Sequence, residues 1–77
     1  MNKARRAQLT VCLSTIEKMI AEIEAIKEVE EAVLENMPDN FMFGEQGELV
    51  EEGIEYLEDA ITGLEEAQNN IQFAIMG

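Results

Sequence analysis

The sequence contains no histidine and no tryptophan, and it has a single cysteine, Cys12, and a single proline, Pro38. Without histidine, the chain lacks the commonest metal ligand in proteins and the commonest general base at neutral pH. One cysteine cannot form a disulfide within the chain. A fold of 77 residues buries only a modest core. Association with another chain is therefore the remaining means of support.

Positive charge is also scarce, because five lysines and arginines stand against 17 aspartates and glutamates, for a net charge of −12. All the acids fall between Glu17 and Glu66. Contact with phosphates needs a basic surface, so this composition argues against direct binding to nucleic acid. No apolar run approaches the roughly 20 residues of a membrane span, and no signal peptide is evident. We expect a soluble protein of the cytoplasm, where an unpaired cysteine is common.

The chain has no glycine or proline between residues 3 and 36, and there its apolar residues recur at intervals of seven. They fill three columns of a helical surface, which is a wider stripe than one neighbouring helix can cover. Pro38 disfavours helical angles at Met37 and so ends the pattern. The columns are Leu9, Ile16, Ile23, Glu30 and Met37; Cys12, Met19, Ile26 and Val33; and Leu13, Ile20, Lys27 and Leu34. Lys27 and Glu30 interrupt the stripe, and their spacing allows them to pair on the helix surface.

The second half repeats the pattern, again with three columns that we expect to point inward. One of them consists of small residues, which let another helix approach closely. Gly53 in that column has this packing explanation, whereas Gly63 has none. The columns are Val50, Leu57, Leu64 and Ile71; Ile54, Ile61, Gln68 and Ile75; and Gly53, Ala60, Ala67 and Ala74.

Together these patterns predict an all-α fold in one domain over residues 1–77, with a helix over about 3–36, a turn over 37–47 and a helix over about 48–76. A linker of about ten residues makes the helices an antiparallel, coiled-coil-like hairpin. A lone hairpin leaves one column of each helix exposed, so we expect a homodimer that forms a four-helix bundle. A different protein using the same stripe is the alternative. The residues expected to pack in the core or the dimer are Leu9, Leu13, Ile16, Ile20, Ile23, Ile54, Leu57, Ala60, Ile61, Leu64, Ala67 and Ile71.

The sequence shows no catalytic or cofactor-binding pattern, and we expect a protein that is not an enzyme. Glu30 lies in an apolar column, where a structural role is the simpler interpretation than general-acid catalysis. Cys12 shares a column with Met19 and Ile26, has no histidine to activate it, and is interpreted as a core residue. A loop starting at Asp39 fails the calcium-binding pattern, because its third and fifth residues are phenylalanines. We expect no metal and no cofactor.

The acids of the second half form two rows at helical spacing. They have two interpretations: a solvated face that keeps a small bundle soluble, or carboxylates that stand in for nucleic-acid phosphates in the basic groove of another protein. The turn adds the triplet Phe41, Met42 and Phe43, of which at least one side chain is expected to be exposed and suited to an interface. The candidate partner-binding residues are Phe41, Met42, Phe43, Glu51, Glu52, Glu55, Glu58, Asp59, Glu65 and Glu66.

The segments RRAQL, EVEEAVLENMP and IEYLEDAITGLEEA, with a turn rich in Gly and Glu between the last two, resemble a group of uncharacterised small acidic helical proteins. That group is encoded by phages, prophages and mobile elements of Gram-positive bacteria. The chain departs from it in the FMF triplet, where the others are polar. The resemblance implies a phage-like context, in which small acidic proteins include inhibitors of host defence such as anti-CRISPR proteins. The expected partner is then a basic host protein, such as a nuclease or another nucleic-acid-binding enzyme. The alternative is a self-assembling structural or adaptor bundle with no inhibitory role.

Overall fold

The computed structural model describes all 77 residues and is entirely helical, as predicted. Helix α1 spans Lys3–Glu35, a single-turn helix α2 spans Asp39–Met42, and helix α3 spans Glu45–Met76. The two long helices run antiparallel and contact each other along their length. The molecule measures 58 × 15 × 11 Å between Cα atoms. Its radius of gyration of 17.4 Å compares with about 11–12 Å for a compact domain of this length.

The ends of α1 are closed by asparagine side chains. Asn2 accepts a hydrogen bond from the backbone N–H of Arg5 at 2.9 Å, which satisfies one of the free donors of the first turn. Asn36 donates from its side-chain amide to the carbonyl oxygen of Ala32 at 2.9 Å. The helix therefore ends ahead of Pro38, whose ring could not continue it.

The predicted turn is shorter and more ordered than expected. The carbonyl oxygen of Pro38 accepts hydrogen bonds from the N–H groups of Phe41 and Met42, and this closes α2 as one helical turn. Helix α3 then begins at Glu45, three residues before the predicted start near residue 48. Its first turn contains Glu45 and Glu48, which suits the positive end of a helix dipole.

The contact between α1 and α3 uses two of the three apolar columns of each helix. The covered side chains alternate at intervals of three and four residues, the spacing by which two helices interdigitate. Most of these side chains are only half-buried, and Ile61, at 7% exposure, is the single large apolar residue of the chain that is buried. The interface residues are Leu9, Leu13, Ile16, Ile20, Ile23, Lys27, Glu30, Leu34 and Met37 on α1, and Val50, Ile54, Leu57, Ile61, Leu64, Gln68, Ile71 and Ile75 on α3.

The remaining column of each helix points out of the hairpin, in agreement with the prediction that a lone hairpin leaves one column of each helix exposed. In α1 this column holds Cys12, Met19, Ile26 and Val33, all of them exposed. In α3 it holds Gly53, Ala60, Ala67 and Ala74, of which only Ala67 is half-buried. The physical reason is that one neighbouring helix covers an arc of only about two columns.

Lys27 pairs differently from the prediction. Its ammonium nitrogen lies 3.8 Å from a carboxylate oxygen of Glu31, one helical turn further along, and 3.7 Å from one of Glu58 on α3. Neither partner is Glu30. The geometry explains the difference, because Lys27 lies at the edge of the interface and its side chain reaches the neighbouring helix.

Gly47 is the second buried residue of the chain, and it is where α2 packs against α3. A Cβ atom at this position would overlap the carbonyl group of Met42. Only a residue without a side chain lets the backbones of these two helices approach so closely. Gly47 therefore sets the position of the turn, including the FMF triplet, relative to α3.

Replacing Gly47 by Ala should lower the free energy of unfolding by about 1–3 kcal/mol, because the new methyl group forces α2 away from α3. Urea unfolding followed by circular dichroism measures the change. Gln46→Ala, at an exposed neighbouring position, is the control and should change stability by less than about 0.5 kcal/mol. An unchanged unfolding midpoint in Gly47→Ala would show that α2 does not pack on α3 in this way.

Candidate functional site: an acidic face and an apolar face

The hairpin has two broad faces of different chemical character. A residue lies on one face or the other according to whether it directly follows or directly precedes a residue of the helix interface. A residue that directly follows an interface residue is turned about 100° to one side, and a residue that directly precedes one is turned to the other. Glu58 follows Leu57, whereas Ala60 precedes Ile61. In an antiparallel pair, the positions directly after interface residues lie on the same side of the hairpin in both helices. The positions directly before interface residues lie on the opposite side.

The first side, which we name the acidic face, collects a carboxylate from every heptad over most of both helices. The contact of Lys27 with both Glu31 and Glu58 shows that the acids of α1 and α3 meet on this side. A shallow groove on the same side is lined by Glu31, Glu51, Glu55 and Glu58, with Leu34 and Ile54 beneath them. The acidic face consists of Glu17, Glu24 and Glu31 on α1 and Glu51, Glu58 and Glu65 on α3.

The two rows of the acidic face interleave along the hairpin. Residues at the same height have numbers that total about 85, as shown by Lys27 with Glu58 and by Leu13 with Gln72 in a shared groove. The carboxylates of α3 therefore fall between those of α1, and successive charges are three or four residues apart. At 1.5 Å per residue this is one carboxylate every ~5 Å, compared with one phosphate per ~3.4 Å along a nucleic-acid strand.

The predicted partner-binding acids do not all share this face. Glu51, Glu58 and Glu65 belong to it, and Glu55 lines its groove. The second predicted row, Glu52, Asp59 and Glu66, lies one residue further round α3 and points away from α1. Near the turn, Glu52 joins Glu48, Glu51 and Glu55 in a patch without any apolar lining. All of these side chains are exposed.

The FMF triplet lies at the tip of the hairpin and divides as the sequence suggested. Met42 is half-buried, Phe41 is 45% exposed and Phe43 is 80% exposed. Leu49, at the same end of the hairpin, is 61% exposed. Phe43 therefore projects into solvent beside the acidic segment.

The opposite side of the hairpin, which we name the apolar face, carries the two columns that the hairpin leaves uncovered. A groove on this side is lined by residues of both helices, including Ile26, Leu49, Gly53 and Leu57, and the half-buried Glu30 is its one acid. Val29, Tyr56 and Leu49 border the face and are all more than half exposed. The apolar face consists of Cys12, Met19, Ile26 and Val33 on α1 and Gly53, Ala60, Ala67 and Ala74 on α3.

Gly63 gains an explanation from this arrangement that the sequence did not provide. It lies between Ala60 and Ala67 on the helical surface, at the border of the apolar face. A Cβ atom added at Gly53 or at Gly63 would meet nothing within 4 Å. Each glycine costs α3 about 1 kcal/mol relative to alanine, with no compensating contact inside the hairpin. The two glycines and three alanines leave this surface of α3 unusually smooth.

No group of three or more His, Cys, Asp or Glu side chains is placed to hold a metal ion. The Cys12 thiol is free and exposed. No helix of the structure combines the length and the apolar character that a membrane span requires. No protein-family model matches the sequence, and comparisons with curated proteins and with solved structures found no match.

Because the acidic charges repel one another across and along the hairpin, salt should stabilise the fold. Raising NaCl from 10 mM to 500 mM shortens the Debye length from ~30 Å to below 8 Å. We expect the melting temperature to rise by several degrees, since the two ion pairs of Lys27 are half-exposed and worth little. A melting temperature that falls with added salt would mean that ion pairs outweigh the repulsion. Thermal melts followed by circular dichroism measure the effect.

Single replacements in the FMF triplet should separate packing from exposure. Phe41→Ala removes a side chain that is about half covered, so we expect a loss of about 1 kcal/mol in stability. Phe43→Ala removes a side chain that is mostly in water and should leave the melting temperature within about 1 °C. A larger loss in Phe43→Ala than in Phe41→Ala would contradict the described orientation of the turn.

Proposed function

We propose that this chain is a small acidic protein-binding module that occupies a basic surface of another protein, with its acidic face taking the place of nucleic-acid phosphates. The observation that supports this proposal is the interleaved line of carboxylates, which runs along both helices with Lys27 as the one cation in contact with it. A charge line of this kind complements a basic groove in sign and in extent. The module acts by binding alone, without catalysis or a cofactor.

The candidate partner is a nucleic-acid-binding enzyme of a bacterial host, such as a nuclease of a defence system. The resemblance to small acidic phage proteins favours an inhibitor of this type, which would act in the host cytoplasm. Electrostatic attraction would speed the encounter with such a partner, and salt would weaken the complex. Phe43, exposed at the tip beside the acidic patch, would supply an apolar anchor at the end of the charged contact.

We further propose that the module is a homodimer, in which two hairpins form a four-helix bundle. A single hairpin buries only one large apolar side chain, Ile61, which is a small core for a stable fold. Two copies joined through their uncovered apolar columns would present an acidic face on each outer side. A self-assembling structural or adaptor bundle without a basic partner is the second candidate, and the uncovered apolar face is the observation that favours it.

Neutralising the acidic face should weaken binding to a basic groove far more than neutralising the outer row. The test variant is Glu51→Gln, Glu58→Gln and Glu65→Gln, and the control is Glu52→Gln, Asp59→Asn and Glu66→Gln, which removes the same charge from the neighbouring row. The probe is a purified nuclease with a basic DNA-binding groove, and the readout is inhibition of DNA cleavage at 50 mM NaCl.

We expect the test variant to inhibit at least 10-fold more weakly than the wild type, and the control to stay within about 3-fold. Equal losses in both variants would show that only net charge matters, which contradicts phosphate mimicry by one face. Wild-type protein that inhibits none of a panel of such nucleases, at low salt and at a large molar excess, would favour the structural bundle.

A further inference from the structure

We propose that the apolar face is the dimer surface, and that a second copy of this chain covers it with α1 of each copy lying over α3 of the other. This inference rests on the proposed homodimer, joined through its uncovered apolar columns, and adds how the two copies are oriented and which residues meet. In this arrangement a two-fold axis runs along the hairpin, and the two turns lie at the same end of the bundle.

The uncovered area matches what a dimer needs. The chain has an accessible surface of 5799 Å², against about 4,700 Å² for a compact monomer of the same 8.7 kDa mass. The excess is about 1,100 Å². The broad side of the hairpin is 58 Å long and 15 Å wide, or about 870 Å², and stable interfaces bury about 800 Å² on each partner. The face is therefore large enough for one second copy.

The acidic face cannot form this contact, because it would bring carboxylates of both copies together out of water. The apolar face carries no acid in its two columns. Its border adds three exposed apolar side chains, Val29, Leu49 and Tyr56, and one acid, Glu22. A basic partner would instead prefer the opposite side of the hairpin. A mostly apolar surface of matching size, with Glu30 in its groove and Glu22 at its border, therefore favours a second copy as the occupant.

The glycines of α3 supply an independent observation. Gly53 and Gly63 both weaken α3, and neither meets a neighbour inside the hairpin. Such residues are useful where another helix approaches closely from outside. Both lie on or beside the apolar face, so the close approach belongs to a helix of the partner.

Two dimer arrangements with two-fold symmetry can stack the apolar faces. The sizes of the side chains and their positions along the hairpin decide between them. A two-fold axis parallel to the long axis of the hairpin leaves the position of every residue along that axis unchanged. Residues of α1 and α3 that lie opposite each other within one hairpin therefore also lie opposite each other across the dimer interface. The large column of α1 then meets the small column of α3: Met19 lies over Ala67, Ile26 over Ala60, and Val33 over Gly53. The bordering residues match as well, because Val29 meets Tyr56 and Glu22 meets the open space at Gly63.

The other symmetric arrangement turns one hairpin end over end. It would stack large column on large column and small column on small column, which cannot keep both helix pairs in contact. It would also bring Glu22 of the two copies to the same height, where like charges repel. We therefore assign the arrangement with both turns at one end.

The dimer surface is tested by Ala60→Glu, with Ala25→Glu as the matched control. Both positions are exposed, and both changes add one negative charge per chain, but Ala25 lies on the outer side of α1. Sedimentation equilibrium should give a dimer for the wild type and for Ala25→Glu, and an at least 100-fold weaker dimer for Ala60→Glu. Loss of helicity in Ala60→Glu alone also supports the surface, because a monomeric hairpin places nothing against Ala60.

The outcomes separate the surface from the proposed function. A dimer of wild-type strength in Ala60→Glu overturns the assigned surface and leaves the homodimer standing. A wild type that stays monomeric at 100 µM overturns both the homodimer and this inference. Neither outcome affects the nuclease test of the acidic face, whose variants lie on the opposite side of the hairpin.

The orientation is tested by one spin label per chain, at Ala7→Cys in a Cys12→Ser background that is first shown to dimerise. With both turns at one end, helices ~8–10 Å apart place the two labels about 25–30 Å from each other. The end-over-end arrangement separates them by about 45–50 Å, because the labels then lie some 31 residues apart in height at 1.5 Å per residue. Double electron–electron resonance measures the distance, and the longer value overturns the assigned orientation.

Discussion

The structure depends on how much of a helix one neighbouring helix can cover. Each long helix has three apolar columns, and packing of α1 on α3 covers two of them in each. The interface runs from Leu9 to Met37 on α1, yet it is one layer deep, and Ile61 is its only buried side chain. A core of one layer provides little stabilisation beyond the conformational entropy that folding costs. The third column of each helix therefore stays exposed to water in the single hairpin, and the proposed dimer would cover it.

The same interface also sorts the charge. Most residues on one flank of the two packed columns are carboxylates, and most on the other flank are apolar or small. The antiparallel arrangement brings like flanks together, so the hairpin has one acidic and one apolar face rather than four mixed edges. The proposed dimer contact and the proposed partner contact therefore lie on opposite sides, and a substitution on one face leaves the other chemically intact. In a dimer built through the apolar faces, two acidic lines would lie on the outside of the bundle.

The turn is held by a different constraint, which is the approach of two backbones. The absent side chain of Gly47 lets α2 lie directly against α3, and the Pro38 carbonyl closes the single turn between them. This leaves Met42 half-buried and Phe43 almost free in solvent. The tip of the hairpin therefore presents an aromatic side chain at the end of the acidic segment, in a fixed position relative to α3.

The heptad spacing, the run without glycine or proline and the single Pro38 were enough to predict two long antiparallel helices and their approximate bounds. These features are local, and local periodicity determines which residues share a helical face. Which two of the three columns would pack depended on the partner helix. The tertiary structure decided that Cys12 and Ala60 face outward, that Lys27 reaches Glu58 rather than Glu30, and that α2 fills part of the turn. It also placed Gly63 at the border of the apolar face. That face is formed by two helices, so it exists only once the rotation of one helix relative to the other is set.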